Sequence, residues 1–356
     1  MKILDRYIGQ AIMTGVTLVL VIFIVLYELF AFAGETNQIG RGDYTIWSAL
    51  QYSLLRLPQH IYELFPLSML LGTMLGLGWL ANHNELVIIR MAGVSLLGIV
   101  GSIMKTAIML MLFAMVVGEG LAPPLHQYAS DQRIKALHGN LNLNTDYGLW
   151  ARDSNTYINV NRVDNDGRLI GITLYQFDEN NFIKRQINAR KAVYDEAGKQ
   201  WLLKSVKQTL HNDNYISVVS KKELKWKTLL DLDTVKIVAV RPELLSIWKL
   251  NGYIEYLKNN DLEYAKYELV YWSKLFGPFT ILAMVLLAIP FVFGSVRHVS
   301  IGKQVLLGFL VGITFYVGSR LIGQVGLVYG VPAIISALLP TLIVIGITVW
   351  SYRRIR

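Results

Sequence analysis

Three long apolar runs, then about 145 mostly polar residues, then three more apolar runs set the plan of this chain. A helix needs about 20 consecutive apolar residues to cross the hydrocarbon of a bilayer. The segments near Ala11–Ala33, Leu54–Ala81, Leu96–Ala122, Leu269–Gly294, Val305–Gly323 and Val331–Tyr352 all reach that length. The expected architecture is an α-helical membrane protein with six transmembrane helices, three on each side of one inserted water-facing domain. Residues 1–122 carry the first three helices, 123–268 the inserted domain with flanking helical stalks, and 269–356 the last three.

Composition supports this. A mean hydropathy of +0.41 and 53% hydrophobic residues over 356 residues are too apolar for an ordinary soluble domain. The first span is too long, and too weakly followed by small residues, for a cleaved signal peptide. With no cysteine in the chain, a disulfide framework, a thiolate nucleophile and a cysteine metal site are excluded. The net charge of +9 is no nucleic-acid signal, because its placement matters more than its sum.

That placement gives an orientation. Lys and Arg in short loops favour the cytoplasmic side. One side of the spans carries Lys2, Arg6, Arg90, Arg297, Lys303, Arg353, Arg354 and Arg356, and the other carries Arg41 and Arg56. Both termini are therefore expected in the cytoplasm, with the inserted domain outside the inner membrane. In a Gram-negative cell that compartment is the periplasm.

The inserted domain reads as β. Thr156–Val163, Leu169–Phe177, Trp201–Leu210 and Ile216–Val219 are rich in Val, Ile, Leu and Tyr with partial two-residue alternation. Turn clusters separate them: Asp164 to Gly167, Asp178 to Asn181, Asp195 to Gly198 and His211 to Asn214. Successive antiparallel strands of this length suggest a sandwich or a β-jelly-roll-like domain. Pro123 and Pro124 mark the exit from the third span, with Gln127–Leu137 as a helical stalk. After Pro242, Ile247–Lys258 and Leu262–Lys274 read as short amphipathic helices leading into the fourth span.

Catalytic signatures are absent. The sequence has no phosphate loop, no H-E-x-x-H helix and no nucleophile elbow. His83 and Glu85 lie near a span end, but no other histidine approaches at ligand spacing. Asp231 and Asp233 suit a turn or a solvated face better than a catalytic pair. No catalytic, cofactor-binding or metal-binding residue is assigned, and the chain reads as a transporter subunit that draws on an engine elsewhere.

The loop between spans two and three carries more information. Within Asn82–Val94, Asn82 or Asn84 can cap a helix start, and Glu85 suits the positive end of its dipole. Leu86, Ile89 and, one position on, Arg90 share a face, and Gly93 is placed as a C-terminal stop. Such a helix near 82–94 has two readings, which stay open here: it lies among lipid headgroups, or it docks in a groove of a cytoplasmic ATPase.

Several stretches resemble a known family: Leu4-Asp5-Arg6-Tyr7-Ile8-Gly9, Asn84 to Val87 with Arg90 to Gly93, Gly148 to Asp153, Val328 to Pro332 and Ser336 to Pro340. Together with the three–domain–three layout they are similar to the LptF/LptG family of lipopolysaccharide-export permeases, over essentially the whole chain. The resemblance implies a heterodimer with an LptF-like permease, two LptB-like ATPase subunits that hydrolyse ATP, and an LptC-like bridge protein continuing towards LptA. Lipopolysaccharide would leave the outer leaflet of the inner membrane through a cavity between the two permeases and pass to a periplasmic bridge. In this reading Glu85, Leu86, Ile89, Arg90 and Gly93 form the helix that receives the ATPase motion. The first and fifth spans face the partner permease as lateral gates.

A glycolipid with several acyl chains and a phosphorylated head needs a broad apolar wall with cations at its rim. Phe23, Leu26, Ile313 and Tyr316 on spans one and five are the expected wall, against the plainer alternative of ordinary lipid-facing side chains. Arg133 offers a fork of donors to phosphate, or else is a solvated stalk charge. Charges inside spans are costly and mark function or pairing. Glu28 and Arg320 are expected to pair across a permease interface or to line a wet cavity, or else to snorkel. Lys105 is expected to snorkel, and Glu119 to sit in the headgroup interface. Members of the family tend to carry lysines where this chain has Ala31, Asn37, Gln38 and Gln59, with Arg41 and Arg56 nearby. Rim charge is therefore expected from other positions or from the partner. Rival readings are a permease or scaffold of another lipid or lipoprotein export system, and a non-transporting periplasmic sensor.

Overall fold

A computed structural model describes residues 3–138, 149–153, 155–163, 168–178, 182–195, 198, 200–212, 215–226, 228, 242–260, 262–293 and 301–355. Lys2, Arg297 and Arg356 of the orientation argument lie outside these residues, as do Asp231, Asp233 and most of the turn clusters. The chain forms two compact units, one of residues 1–37, 50–127 and 265–356, the other of residues 38–49 and 128–264.

The first unit is helical. Its elements are α1 (Ile3–Thr36), most of α2 (Ile46–Asn82), the short α3 (Glu85–Met91) and α4 (Leu96–Met115), followed by a π-helical turn over Val116–Leu121 and by the start of α5 (Ala122–His138), whose residues from 128 on belong to the second unit. Among the described residues, six helices are long and apolar enough to cross a membrane: α1, α2, the α4–α5 run and three helices near the C-terminus. Helix ends leave backbone groups unpaired, and Ser95 caps α4 by accepting from Gly98 N at 3.1 Å. The shared core joins Ile8 and Ile12 of α1, Phe65, Met69 and Leu77 of α2, Leu86 of α3, and Ile99 and Ile103 of α4.

The packing is closest where α1 crosses α2. A methyl group on Gly15 would collide with the Gly72 carbonyl and lie 3.1 Å from Gly76 N, and one on Gly76 would lie 2.5 Å from Ala11 O. Small residues let helix backbones touch where lipid supplies no hydrophobic drive.

Two expectations concern the segments on either side of the inserted domain. The stalk expected over Gln127–Leu137 is helical, being part of α5, which begins at Ala122 and runs unbroken through Pro123 and Pro124. The π turn just before them closes its ring from Ala122 N to Val117 O. It widens the helix where two pyrrolidine rings would otherwise strike the carbonyls of the preceding turn. The other, Leu262–Lys274, needs correction: it is not a separate helix, and its residues from Ala265 on begin the helix of the fourth span.

The C-terminal elements of the helical unit follow the inserted domain, whose own last helix is α6 (Ile247–Asn259). They are α7 (Ala265–Phe293), α8 (Ile301–Val328) and α9 (Ala333–Ile355). Lys274, which the expected short helix and the expected fourth span shared, lies inside α7. Pro278 and Pro290 lie inside α7 and Pro340 inside α9.

The second unit holds a six-stranded antiparallel sheet in sequential order: β1 (Leu149–Asp153), β2 (Thr156–Val163), β3 (Leu169–Phe177), β4 (Ile183–Asp195), β5 (Gln200–Asn212) and β6 (Tyr215–Trp226). This meander is consistent with the expected jelly-roll-like domain. The sheet changes its buried face along one row. The ladders make no pair at Asn161, Gly171, Arg190, Ser205 or Lys222, and Gly171 and Ser205 both have positive φ, 67° and 55°. On one side of the row Ile172, Leu174, Ile187, Ala189 and Val206 are buried. On the other, Leu169, Ala192, Leu203 and Trp201 are. Because side chains alternate with period two, such a slip moves the apolar set to the opposite face. In the same unit Tyr256 of α6 donates to Arg152 O at 2.9 Å, and Thr228 donates to Asp153 Oδ2 at 2.5 Å.

Candidate functional site

The helix expected near 82–94 is α3, seven residues long. Its start differs from a side-chain cap. Asn84 holds the N-cap position with φ 58° and makes no side-chain capping bond, so it serves as a left-handed turn residue, a conformation Asn tolerates. Glu85 follows in the first turn, where a carboxylate suits the helix dipole. At the other end Gly93 has φ 86°, donates to Arg90 O at 3.0 Å, and Val94 N reaches Ile89 O at 3.4 Å. This is the glycine-terminated end such a helix needs.

The faces of α3 divide cleanly. Leu86 is buried and Ile89 packs against the same core, so the apolar pair turns into the bundle. Arg90 does not share that buried face; it is exposed. Ile88 and Met91 are 58% and 75% exposed. A shallow cavity of about 320 Å³ between α3 and the end of α7 is lined by Leu86, Val87, Arg90, Met91, Val292 and Phe293, with Ala81 of α2. Glu85 Oε2 accepts a hydrogen bond from Tyr7 Oη of α1 at 2.7 Å.

The expected wall residues lie on the least covered helices. The most apolar stretches of α1 and α8 are each only 11% buried, against 67% for α2. Leu26, Ile313 and Tyr316 are exposed. Phe23 is half-buried, its ring 6.3 Å from that of Phe309 on α8. The structure therefore sets Phe23 beside α8 and leaves the others facing outward. Arg320 lies over the Tyr316 ring at 4.8 Å, a cation–π contact. Arg133 belongs to the other unit, where it lies 5.9 Å from the buried Tyr44 ring.

The charges in the spans are paired within the helical unit. Glu28 Oε1 meets His60 Nδ1 of α2 at 2.5 Å, and the Tyr27 ring packs 4.3 Å from the same imidazole. Glu28 and Arg320 thus do not pair with each other here. Lys105, expected to snorkel, is half-exposed but reaches Asp5 Oδ2 at 2.8 Å. Asp5 is 3% exposed and also accepts from Ser102 Oγ. Glu119, expected among headgroups, is paired at 2.9 Å with Lys274 of α7, with 19% and 11% exposure. A lone charge in hydrocarbon is expensive, and Glu28, Lys105 and Glu119 each find a partner on a neighbouring helix.

Sequence reasoning missed Tyr7, Asp5, His60 and Lys274 as those partners. The signal was present for three of them. Asp5 and Lys274 are charges at or near span ends, and His60 is a titratable group inside a span. What was lacking was the pairing of helices, which spacing along one chain does not give.

The comparisons with known proteins agree with one another. Residues 6–354 match the family model described as lipopolysaccharide export system permease LptF/LptG. The chain is 38% identical over 353 residues to the lipopolysaccharide export system permease protein LptG of Escherichia coli strain K12, covering 99% of this chain and 98% of that one. It is 37% identical over 354 residues to the LptG protein of Haemophilus influenzae, covering 99% of each. A match of this extent leaves no span and no strand outside it, and the chain belongs to the LptF/LptG family of lipopolysaccharide export system permeases.

Proposed function

We propose that this chain is one permease of a two-permease transporter that extracts lipopolysaccharide from the outer leaflet of the inner membrane and passes it to a periplasmic bridge. ATP is hydrolysed by separate LptB-like subunits, an LptF-like chain completes the cavity, and an LptC-like protein continues the bridge. Both termini and α3 face the cytoplasm, and the β domain faces the periplasm, a reading supported by the excess of Lys and Arg on one side of the spans.

The observation that carries this reading is the contrast in coverage between helices. The apolar stretches of α1 and α8 are 11% buried, while α2 and α7 carry much of the core. Helices so bare on several sides suit a lipid cavity and a second permease. The exposed outer side of α3, with Ile88, Met91 and Arg90 beside a shallow groove, suits a docking ATPase, because its other apolar face is already spent in the core. Phe23, Leu26, Ile313 and Tyr316 form the apolar wall, and Glu28 and Arg320 are its polar members; Arg133, on the inserted unit, separately offers its guanidinium to lipid phosphate. The chain itself binds no cofactor in this scheme.

Purification of the chain from native membranes tests it. A second six-span permease and a soluble ATPase are expected in stoichiometric amounts, with ATP hydrolysis that Glu85→Lys abolishes. A chain that purifies alone, without nucleotide hydrolysis, overturns the proposal.

A further inference from the structure

The foot of α1 is fastened to α3 and α4 at three points. Tyr7 Oη donates to Glu85 Oε2 at 2.7 Å. The buried Asp5 carboxylate accepts from Ser102 and Lys105 of α4. Ile8 and Ile12, fully buried, share a core with Leu86 of α3 and Ile99 of α4. Higher on α1 comes the backbone contact with α2, where Gly15 meets Gly72 and Gly76. The buried residues of α1 end at Val19. Beyond that point the hold on α2 is polar and local, through Glu28 with His60 and the Tyr27 ring.

A rigid rod fastened at its foot, in contact at one narrow crossing and loosely held beyond it is a lever. A helix rises 1.5 Å per residue, so the foot at Tyr7 lies roughly 12 Å from Gly15 and the Glu28 end roughly 20 Å beyond. A shift at the foot therefore produces a larger swing at the far end. We propose that Tyr7 is a positioning residue that ties the Glu85 carboxylate to α1, so that displacement of α3 turns α1 about the Gly15 crossing and moves its sparsely covered outer half. This rests on the reading of α3 as the element that receives the ATPase motion. Glu85 has a carboxylate acceptor at 2.7 Å from the phenol, and hydrogen bonds to ionised groups are the stronger kind. The bond lies at the exposed edge of the unit, where its contribution to holding the fold is small, so its effect is directional rather than stabilising.

The test uses the full complex in vesicles and reads lipopolysaccharide released per ATP hydrolysed. Tyr7→Phe keeps the ring and removes the donor. The expected result is an assembled complex that still hydrolyses ATP but whose release per ATP falls about threefold or more, the scale of one lost hydrogen bond. Glu85→Gln, whose amide oxygen still accepts from Tyr7, retains more of that ratio than Glu85→Ala. Adding Tyr7→Phe to Glu85→Ala lowers it no further. An unchanged ratio in Tyr7→Phe overturns the proposal, and so does an additive double variant or a fall explained wholly by lost assembly. If the unaltered chain recruits no ATPase, the failure lies instead with the reading of α3, and the lever falls with it.

Discussion

Lys274 Nζ lies 2.9 Å from Glu119 Oε1, joining α7 to the π-helical turn that interrupts the third span. Both groups are mostly shielded, and the Tyr62 ring packs over Gly118, the residue before Glu119 in that turn. Removing one member of a shielded ion pair strands the other charge, whereas removing both leaves no charge to desolvate. Lys274→Ala is therefore expected to destabilise the chain by about 1–3 kcal/mol, the cost of an unsatisfied buried group. Combining Lys274→Met with Glu119→Gln is expected to recover most of it. Thermal unfolding in detergent separates the two, and a double variant as unstable as Lys274→Ala contradicts the pairing.

Gly93 ends α3 with φ 86°. A β-branched side chain resists that conformation, at about 1–2 kcal/mol for an L-residue in the left-handed region. Gly93→Val is expected to redirect the chain between α3 and α4, costing stability of that order and lowering ATP hydrolysis by the assembled complex. Gly93→Asn, which tolerates positive φ, is expected to retain both. Thermal unfolding alongside an ATPase assay checks the pair.

Much of this fold was legible in the sequence because lipid imposes a length rule that few other environments impose. Six apolar runs became six long helices, displaced by a few residues at their ends where polar residues such as Asp5 and Lys266 extend them. Four strands were legible from Val, Ile and Tyr alternation. β4 was not, because Lys184, Arg185, Arg190 and Lys191 dilute its pattern, and five-residue β1 is too short to show one. The prolines at 123 and 124 gave no sign of an unbroken helix for a physical reason: their penalty assumes a regular α-helix, and the π turn before them removes that assumption. Of the candidate site, the helix at Glu85 and its glycine stop were readable locally. The partners of Glu28, Lys105 and Glu119 were not, since His60, Asp5 and Lys274 come from other helices.

Trp201 is fully buried in the sheet, its ring 5.1 Å from that of Tyr194 and opposite it in the β4–β5 ladder. It lies on the side of the kinked row where Leu203 and Leu169 also face inward. Trp201→Ala is expected to cost about 3–5 kcal/mol, the usual range for truncating a buried aromatic. Limited proteolysis should then cut within residues 149–226 under conditions that leave the parent chain intact. A resistant variant places the core of the β domain elsewhere.

Tyr256 links α6 to β1 through its bond to Arg152 O. Burial, reinforced by the nearby Asp153 carboxylate, pushes its phenol up to about 12. A tyrosine that titrates near 10 in the unfolded chain and near 12 when folded binds its proton more tightly in the folded state. Its contribution is therefore complete below about pH 10 and is lost as the pH climbs towards 12. The chain is expected to lose stability across that alkaline window, and Tyr256→Phe, which has no proton to lose, is expected to show a shallower decline. Chemical unfolding at a series of alkaline pH values measures the slope, and equal slopes for the two chains would remove Tyr256 as its source.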